Sequence, residues 1–177
     1  RNAKIVGFSF AYEENKAYYV PIAHSYLGVA AQISNEAARQ AIIQLNRHKL
    51  VLQNFKYDYE IIKNNFEIEL KLYADTMILS WLLDTNEKVG LDYQINKYFN
   101  HKMIAFKDVV KKGENFSNVD ILNACDYAAE DALMTLKLFN KQLVLFKERN
   151  SEEILKLAFD LEFDFIDIIV GNHDQTT

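Results

Sequence analysis

Asp131 is an acidic residue at a position where the sequence pattern predicts burial. The helix predicted from about residue 118 to 147 turns by about 100° per residue, which places Asp131 on the same face as Leu138. Tyr127 lies one turn earlier, at the i,i+4 spacing that brings two side chains together. A buried carboxylate needs hydrogen bonds or a cation to stay ionised. The pattern therefore predicts either a structural Tyr–Asp hydrogen bond or a functional carboxylate.

The same angular count divides the rest of this helix into an apolar stripe and a solvent face. The stripe is predicted to comprise Leu122, Cys125, Ala129, Ala132, Leu136, Phe139, Leu143 and Phe146. The solvent face is predicted to comprise Asp126, Glu130, Lys137 and Lys141. We therefore expect Asp131→Ala to be far more damaging to function than Glu130→Ala, although the two residues are adjacent.

Asp58 is a second acidic residue whose side chain is predicted to face inward. It lies near the start of a helix predicted to reach residue 65, on the side of Ile61 and Ile62 rather than on the solvent side. It also follows the predicted strand 50–52, and open α/β sheets place their ligand sites at such strand ends. Two interpretations stay open: a carboxylate that interacts with the helix dipole, or a functional group.

Two inward carboxylates from different elements, together with a tyrosine, favour a divalent-metal site built from oxygen ligands. Phe106 adds a possible contact for nucleic acid, because aromatic rings stack bases and nearby lysines follow the backbone. The lysines that flank it are Lys102, Lys107, Lys111 and Lys112. The alternative is that Phe106 is a loop aromatic that packs into the core.

Four further residues invite functional interpretation but are not predicted to be site residues. We expect His24 and His101 to be loop residues rather than metal ligands. Trp81 and Cys125 lie on apolar helix faces, and we expect both to belong to the core.

The elements that must position these side chains begin with strands and end with helices. Residues 4–12 and 17–22 predict an antiparallel hairpin, and residues 50–52 predict a short strand. Helices are predicted at 35–46 after Ser34, at about 55–65, at 76–83 after Asp75, at 91–99, and from 151 to about 168. Residues 101–118 predict a loop with short helical pieces. This order indicates a mixed α/β domain.

The composition indicates one folded domain. The 177 residues are 50% hydrophobic and 25% charged, and only 5 Gly and 1 Pro interrupt regular structure. These values exclude collagen-like and low-complexity chains, and a single cysteine excludes an internal disulfide framework. The apolar runs are too short for a membrane span, so we expect a cytoplasmic protein without a membrane partner. A net charge of −5 requires any contact with nucleic acid to be local or metal-assisted.

Two short segments carry a resemblance to a nuclease family. Residues 53–58, Gln-Asn-Phe-Lys-Tyr-Asp, resemble the second motif of the 3′–5′ exonuclease (proofreading) domain of family A bacterial DNA polymerases I. Residues 127–132, Tyr-Ala-Ala-Glu-Asp-Ala, resemble its third motif, Tyr-x-x-x-Asp. Residues 19–28 and 75–77 resemble family landmarks, so that the resemblance covers about residues 3–170.

The resemblance implies a ribonuclease H-like fold, in which helices flank a mixed β-sheet. It implies an exonuclease-like domain over residues 1–150, and a helix in 151–177 that leads towards the polymerase part and has a disordered end. The implied enzyme hydrolyses 3′-terminal phosphodiesters for proofreading in DNA replication and repair. It uses two Mg²⁺ or Mn²⁺ ions held by four carboxylates. The implied partners are a single-stranded 3′ end of DNA and the polymerase domain of the same parent chain.

Roles for individual residues also follow from the resemblance. Asp131 would bind the first metal ion, Tyr127 would orient the attacking water, and Asp58 would support the second metal ion. The residues implied to contact the single strand are Asn54, Tyr57 and Phe106.

The first motif of the family, Asp-x-Glu, has no counterpart at the expected place. In the family it lies on a strand before the hairpin, whereas this chain begins at Arg1, after that point. We therefore expect a sheet that lacks its first strand and a 177-residue chain that is inactive by itself. Asp160-Leu161-Glu162 has the same letters, but it falls in a predicted amphipathic helix and is expected to be non-catalytic. Leu52 also departs from the family, which often has Gly there.

Two other interpretations remain open. The chain is also similar to stand-alone exonucleases of the ribonuclease D type, which share the Tyr-x-x-x-Asp motif. It could instead be a catalytically silent domain that serves as a scaffold for a polymerase. Intact Asp58, Tyr127 and Asp131 favour activity over silence.

Overall fold

The computed structural model describes residues 3–162, which form the expected mixed α/β domain. Its strands are β1 (Gly7–Glu13), β2 (Lys16–Pro21), β3 (Leu50–Leu52) and β4 (Leu72–Asp75). Its helices are α1 (Asn35–Leu45), α2 (Phe55–Phe66), α3 (Thr76–Leu83), α4 (Leu91–Phe99), α5 (Phe106–Val109), α6 (Ile121–Glu148) and α7 (Glu152–Leu157). A 3-10 turn at Phe116–Asn118 precedes α6, and a π-helical turn at Ala158–Glu162 follows α7.

The four strands form two separate pairs within residues 3–162. β1 and β2 are the predicted antiparallel hairpin, with Phe10 opposite Tyr18, while β3 and β4 are parallel. The sequence analysis did not predict β4. The apolar alternation that leads into it, through Ile68 and Leu70 to Leu72, is a signal that indicates a strand.

Two helix starts follow from the local caps that the sequence predicts. Asp75 accepts the Met77 N–H at the start of α3, and Ser34 accepts the Ala37 N–H at the start of α1, as predicted. The helix predicted at 151–168 begins as α7, and its last predicted residues, like the end of the chain at 163–177, lie outside the described residues. No helix within residues 3–162 is both long enough and apolar enough to cross a membrane.

Apolar side chains cover both faces of the β3–β4 pair. Leu50 and Leu52 pack against a cluster built mainly from α1 and α2. Val51, whose side chain points the opposite way, packs against a second cluster built from β4, α3, α6 and α7. The pair therefore lies between two helical layers. The chain passes from the end of β3 into α2 and from the end of β4 into α3, so both helices start at the same edge of the pair.

The buried face of α6 differs in part from the predicted stripe. Phe139 and Phe146 are buried as predicted, but Leu122 is 75% exposed, so its assignment to the stripe is wrong. The face of Ala124 and Leu138 is buried as well, because α6 packs on the hairpin as well as on α3 and α4. Since Asp131 was placed on that face, its inward orientation agrees with the structure.

Two predicted core residues are not in the core. Trp81 is 50% exposed, because α3 turns Leu79 and Ser80 towards the protein and leaves Trp81 on the outside. Cys125 is only partly buried, because it lies near the exposed beginning of α6.

Candidate active site

A large cleft is lined by both strand pairs and by α2 and α6. Its volume is about 1980 Å³, and its lining includes residues of both β1 and β3. Asp58, Tyr127 and Asp131 all line it. The two carboxylates and the tyrosine thus line one cleft, although Asp58 and Tyr127 lie far apart in the sequence.

Asp131 and Tyr127 form the expected pair on α6. Burial raises the pKa of Asp131 to about 6, although the hydrogen bond from Tyr127 opposes that shift. Burial and the charge of Asp131 raise the pKa of Tyr127 to about 12. The tyrosine therefore remains protonated at neutral pH and donates its hydroxyl proton to the carboxylate.

Asp58 lies in the first turn of α2 and lines the same cleft. Burial raises its pKa to about 7, and the charge of the nearby Asp75 carboxylate adds to the effect. Burial thus disfavours the ionised form of both cleft carboxylates. A divalent cation beside either carboxylate would favour its ionised form.

Asp75 fixes the backbone from which Asp58 projects. Its carboxylate accepts the N–H groups of Asn54 at 3.1 Å, Phe55 at 2.8 Å and Met77 at 2.8 Å. The corner at Asn54 has a left-handed φ of 68°, which asparagine tolerates better than most residues. One buried carboxylate therefore organises the start of α2 as well as the start of α3.

The sequence analysis assigned Asp75 only the local cap of α3. Its second role depends on the parallel pairing of β3 with β4, which brings two helix starts to one edge. Two features of the sequence could have revealed this role. Asp75 is an acidic residue at the end of an apolar segment, and α2 begins without a side-chain cap of its own for its backbone N–H groups.

The three residues predicted to contact a single strand occupy different places. Tyr57 is 46% exposed and Phe106 is 53% exposed, and both line the cleft. The alternative that Phe106 packs into the core is therefore wrong. Asn54 is exposed at the start of α2, but it does not line the cleft. The Phe106 ring contacts the ring of Tyr127, with 6.0 Å between their centroids.

Comparison with known proteins gives the same assignment as the motifs. Residues 1–145 match the family model of 3′–5′ exonuclease. The chain belongs to the 3′–5′ exonuclease family. The exonuclease chain is 36% identical over 174 residues to DNA polymerase I of Borreliella burgdorferi, covering 95% of this chain and 18% of the relative. It is also 36% identical over 178 residues to DNA polymerase I of Pseudomonas aeruginosa, covering 96% of this chain and 19% of the relative.

The match confirms the family, the α/β fold class and the assignment to an enzyme family. The exonuclease chain spans less than a fifth of the length of these two relatives. Both relatives are DNA polymerases I, so the chain corresponds to the exonuclease domain of such a polymerase.

Glu130 of the exonuclease domain is not on a solvent face, so that prediction is wrong. Its side chain is only 14% exposed, and it contacts His101 at 2.7 Å. The loop before α5 folds back over α6 and covers Glu130, which a count along one helix cannot show. His24 lies in a loop, as predicted, where it is buried and bonds to Tyr19 and to the Val119 carbonyl.

The cleft of the exonuclease domain offers only part of a metal site. Asp58 and Asp131 supply the carboxylate oxygens that Mg²⁺ and Mn²⁺ prefer. Within residues 3–162, however, no group of three or more His, Cys, Asp or Glu residues is arranged to hold a metal ion. The donors present fit such an ion in type, and further ligands are needed to complete its coordination.

Proposed function

We propose that this domain removes nucleotides from single-stranded 3′ ends of DNA, by hydrolysis with two bound Mg²⁺ or Mn²⁺ ions. The observation that carries the proposal is the convergence of Asp58, Tyr127 and Asp131 in one cleft whose rim bears exposed aromatic rings. Proofreading for a polymerase domain of the same parent chain, in the cytoplasm, is part of the proposal. It is supported by the similarity to DNA polymerases I.

The chemistry divides between the metal ions and the protein. When bound, two such ions supply an activated water and neutralise the leaving 3′ oxygen. Asp131 and Asp58, which both line the cleft, would hold the ions. Tyr127 keeps its proton because its pKa is raised to about 12, so it would orient the attacking water through its hydroxyl group rather than deprotonate it.

The rim of the cleft suits a single strand better than a duplex. Tyr57 and Phe106 expose ring faces on which unpaired bases can stack. Lys102 lines the same cleft, and Lys107 is exposed beside Phe106. Because the chain has a net charge of −5, it is unsuited to contact many phosphates of a duplex. These lysines can instead contact the phosphates of the one strand that enters the cleft.

We also propose that a further strand, carrying two more carboxylates, completes the sheet between β1 and β3. Within residues 3–162, β1 pairs only with β2 and β3 only with β4, and both face the cleft. A strand there would pair with the free backbone N–H and C=O groups along the edges of both β1 and β3. The 177-residue chain by itself would accordingly be inactive, with residues 1–150 as the exonuclease domain and 151–177 as the connection towards the polymerase.

The experiment uses the full-length parent and a 5′-labelled single-stranded DNA with Mg²⁺ or Mn²⁺. We expect stepwise shortening from the 3′ end and release of nucleoside 5′-monophosphates. Asp131→Asn should slow the reaction by at least about 100-fold, more than the loss of a residue that only supports a ligand. Asp126→Asn is the matched control, because Asp126 is an exposed acid on the same helix, and it should retain activity.

Each alternative gives a different result in this assay. Preferential shortening of RNA would favour a ribonuclease D-like enzyme, and an intact oligonucleotide under all conditions would favour a silent scaffold. Equal activity of wild-type protein and Asp131→Asn would contradict the proposed site.

A further inference from the structure

One carboxylate fastens the loop before α5 to the middle of α6. Glu130 accepts the His101 Nε2–H at one oxygen and the Ile104 backbone N–H at the other, both at 2.7 Å. Both oxygens are therefore used, by two groups three positions apart in a segment without regular structure. The Glu130 side chain is only 14% exposed and is ionised as an acceptor, which strengthens both hydrogen bonds, although the His101 side chain is 42% exposed.

The fastened loop leads directly to Phe106. Ile104 precedes the first residue of α5 by two positions, and that first residue is Phe106. The Phe106 ring contacts Tyr127, and it also stacks on the Phe116 ring at 6.2 Å between centroids. The exposed ring thus depends for its position on where the loop crosses α6.

The loop has a second anchor of a different kind. Met103 is buried against Ile95 and Leu138, which holds the loop near the core. This apolar contact limits the distance between the loop and the core, but it does not fix the orientation of the peptide groups of the loop. The hydrogen bond to the Ile104 N–H adds the direction, since it requires one orientation of that peptide group.

We propose that Glu130 is a positioning residue for substrate binding, which holds Phe106 beside Tyr127 by fastening residues 101–104 to α6. The inference rests on the proposed exonuclease function and adds a specificity element to the same site. Glu130 lies between Tyr127 and Asp131 in sequence, so one turn of α6 carries the water-orienting group, the metal ligand and the loop anchor. The distance from the stacked terminal base to the reacting phosphodiester is set within that turn.

The proposal separates binding from chemistry in a measurable way. Stacking of one base on an aromatic ring corresponds to about 5- to 150-fold in binding, which limits the effect of misplacing the ring. We expect Glu130→Ala in the full-length parent to raise KM for a single-stranded oligonucleotide by about 5- to 10-fold. The kcat value should stay within about twofold, because Asp131 and Tyr127 are untouched.

Two further variants identify the route by which Glu130 acts. Glu130→Gln keeps an acceptor for the Ile104 N–H and should restore most of the wild-type KM. When Phe106 is already alanine, Glu130→Ala should change KM by less than about twofold, because the ring that it positions is absent. Asp126→Ala, which removes an exposed acid one turn earlier on α6, should leave KM unchanged.

Hydrogen exchange gives a readout that does not depend on activity. We expect the peptide covering residues 101–106 to exchange faster in Glu130→Ala than in the wild type, while peptides of α1 and α3 are unchanged. If the wild-type parent shortens no oligonucleotide, the proposed function fails, and exchange still decides whether Glu130 holds the loop. Unchanged exchange, a fall in kcat without a rise in KM, or full additivity with Phe106→Ala would overturn the inference.

Discussion

Replacing Asp58 by asparagine should stabilise the metal-free chain at high pH. Burial and the Asp75 charge raise the pKa of Asp58 from its ordinary value of 3.8 to about 7. At 1.36 kcal/mol per pKa unit, this difference corresponds to roughly 4 kcal/mol. Because the side chain lines an open cleft, solvent screening reduces the expected gain to about 2 kcal/mol. The amide side chain of the variant would keep the shape of the carboxyl group without its charge.

The effect has a defined dependence on pH. A folded-state pKa above the unfolded value means that the folded protein binds more protons between about pH 4 and pH 7. The stability that Asp58 contributes by binding this proton is complete below about pH 4 and is lost as the pH rises through about 7. The variant does not titrate at this position, so its advantage should be near zero at pH 4 and largest above pH 8.

Urea unfolding followed by circular dichroism, with EDTA present, measures this advantage at pH 5 and pH 8. Asp92→Asn is the matched control, because Asp92 is an exposed acid in the first turn of α4. It should lose about 0.3–1 kcal/mol through the helix dipole. If Asp58→Asn also loses stability at pH 8, Asp58 serves the dipole of α2, and the reasoning from burial is refuted.

Two further substitutions test the rim of the cleft and the hairpin. Phe106→Ala in the parent should weaken binding of a single-stranded oligonucleotide by about 1–3 kcal/mol at fixed low salt. Leu27→Ala, which removes a fully exposed side chain, should leave this affinity unchanged. Equal affinities of Phe106→Ala and the wild type would exclude Phe106 from the binding surface. Gly7→Ala should destabilise the chain by about 1–3 kcal/mol in thermal unfolding, because the new methyl group overlaps the Tyr19 ring, which His24 holds by a 2.6 Å hydrogen bond. An unchanged melting temperature would show that the ring moves aside without cost.

Much of the local structure was predictable because its causes are local. The cap at Asp75 and the extent of α3 and α4 depend on residues within one turn of each other. The pairing of Tyr127 with Asp131 depends only on helical spacing, and it holds in the structure. The motifs around Asp58 and Asp131 were sufficient to identify the family, since a motif is a property of sequence alone.

The surroundings of these residues depended on contacts between distant segments. Glu130 was predicted to be in solvent because its helix, taken alone, places it with charged residues, and only the returning loop at His101 covers it. Asp75 supports two helix starts only because β4 pairs with β3, and β4 itself was not predicted. Trp81 was assigned to the core because periodicity shows which side of a helix is apolar, but not whether a neighbour covers that side.

The sequence by itself therefore determined the chemical types of the site residues, the family, and the face of α6 on which Asp131 lies. Only the tertiary structure decided that Asp58 and Asp131 share one cleft, and that Phe106 stands at its rim rather than in the core. The physical reason is that side-chain direction follows from the dihedral geometry of a few neighbouring residues. Burial and pKa depend instead on every segment that packs against the group, however far away it lies in the chain.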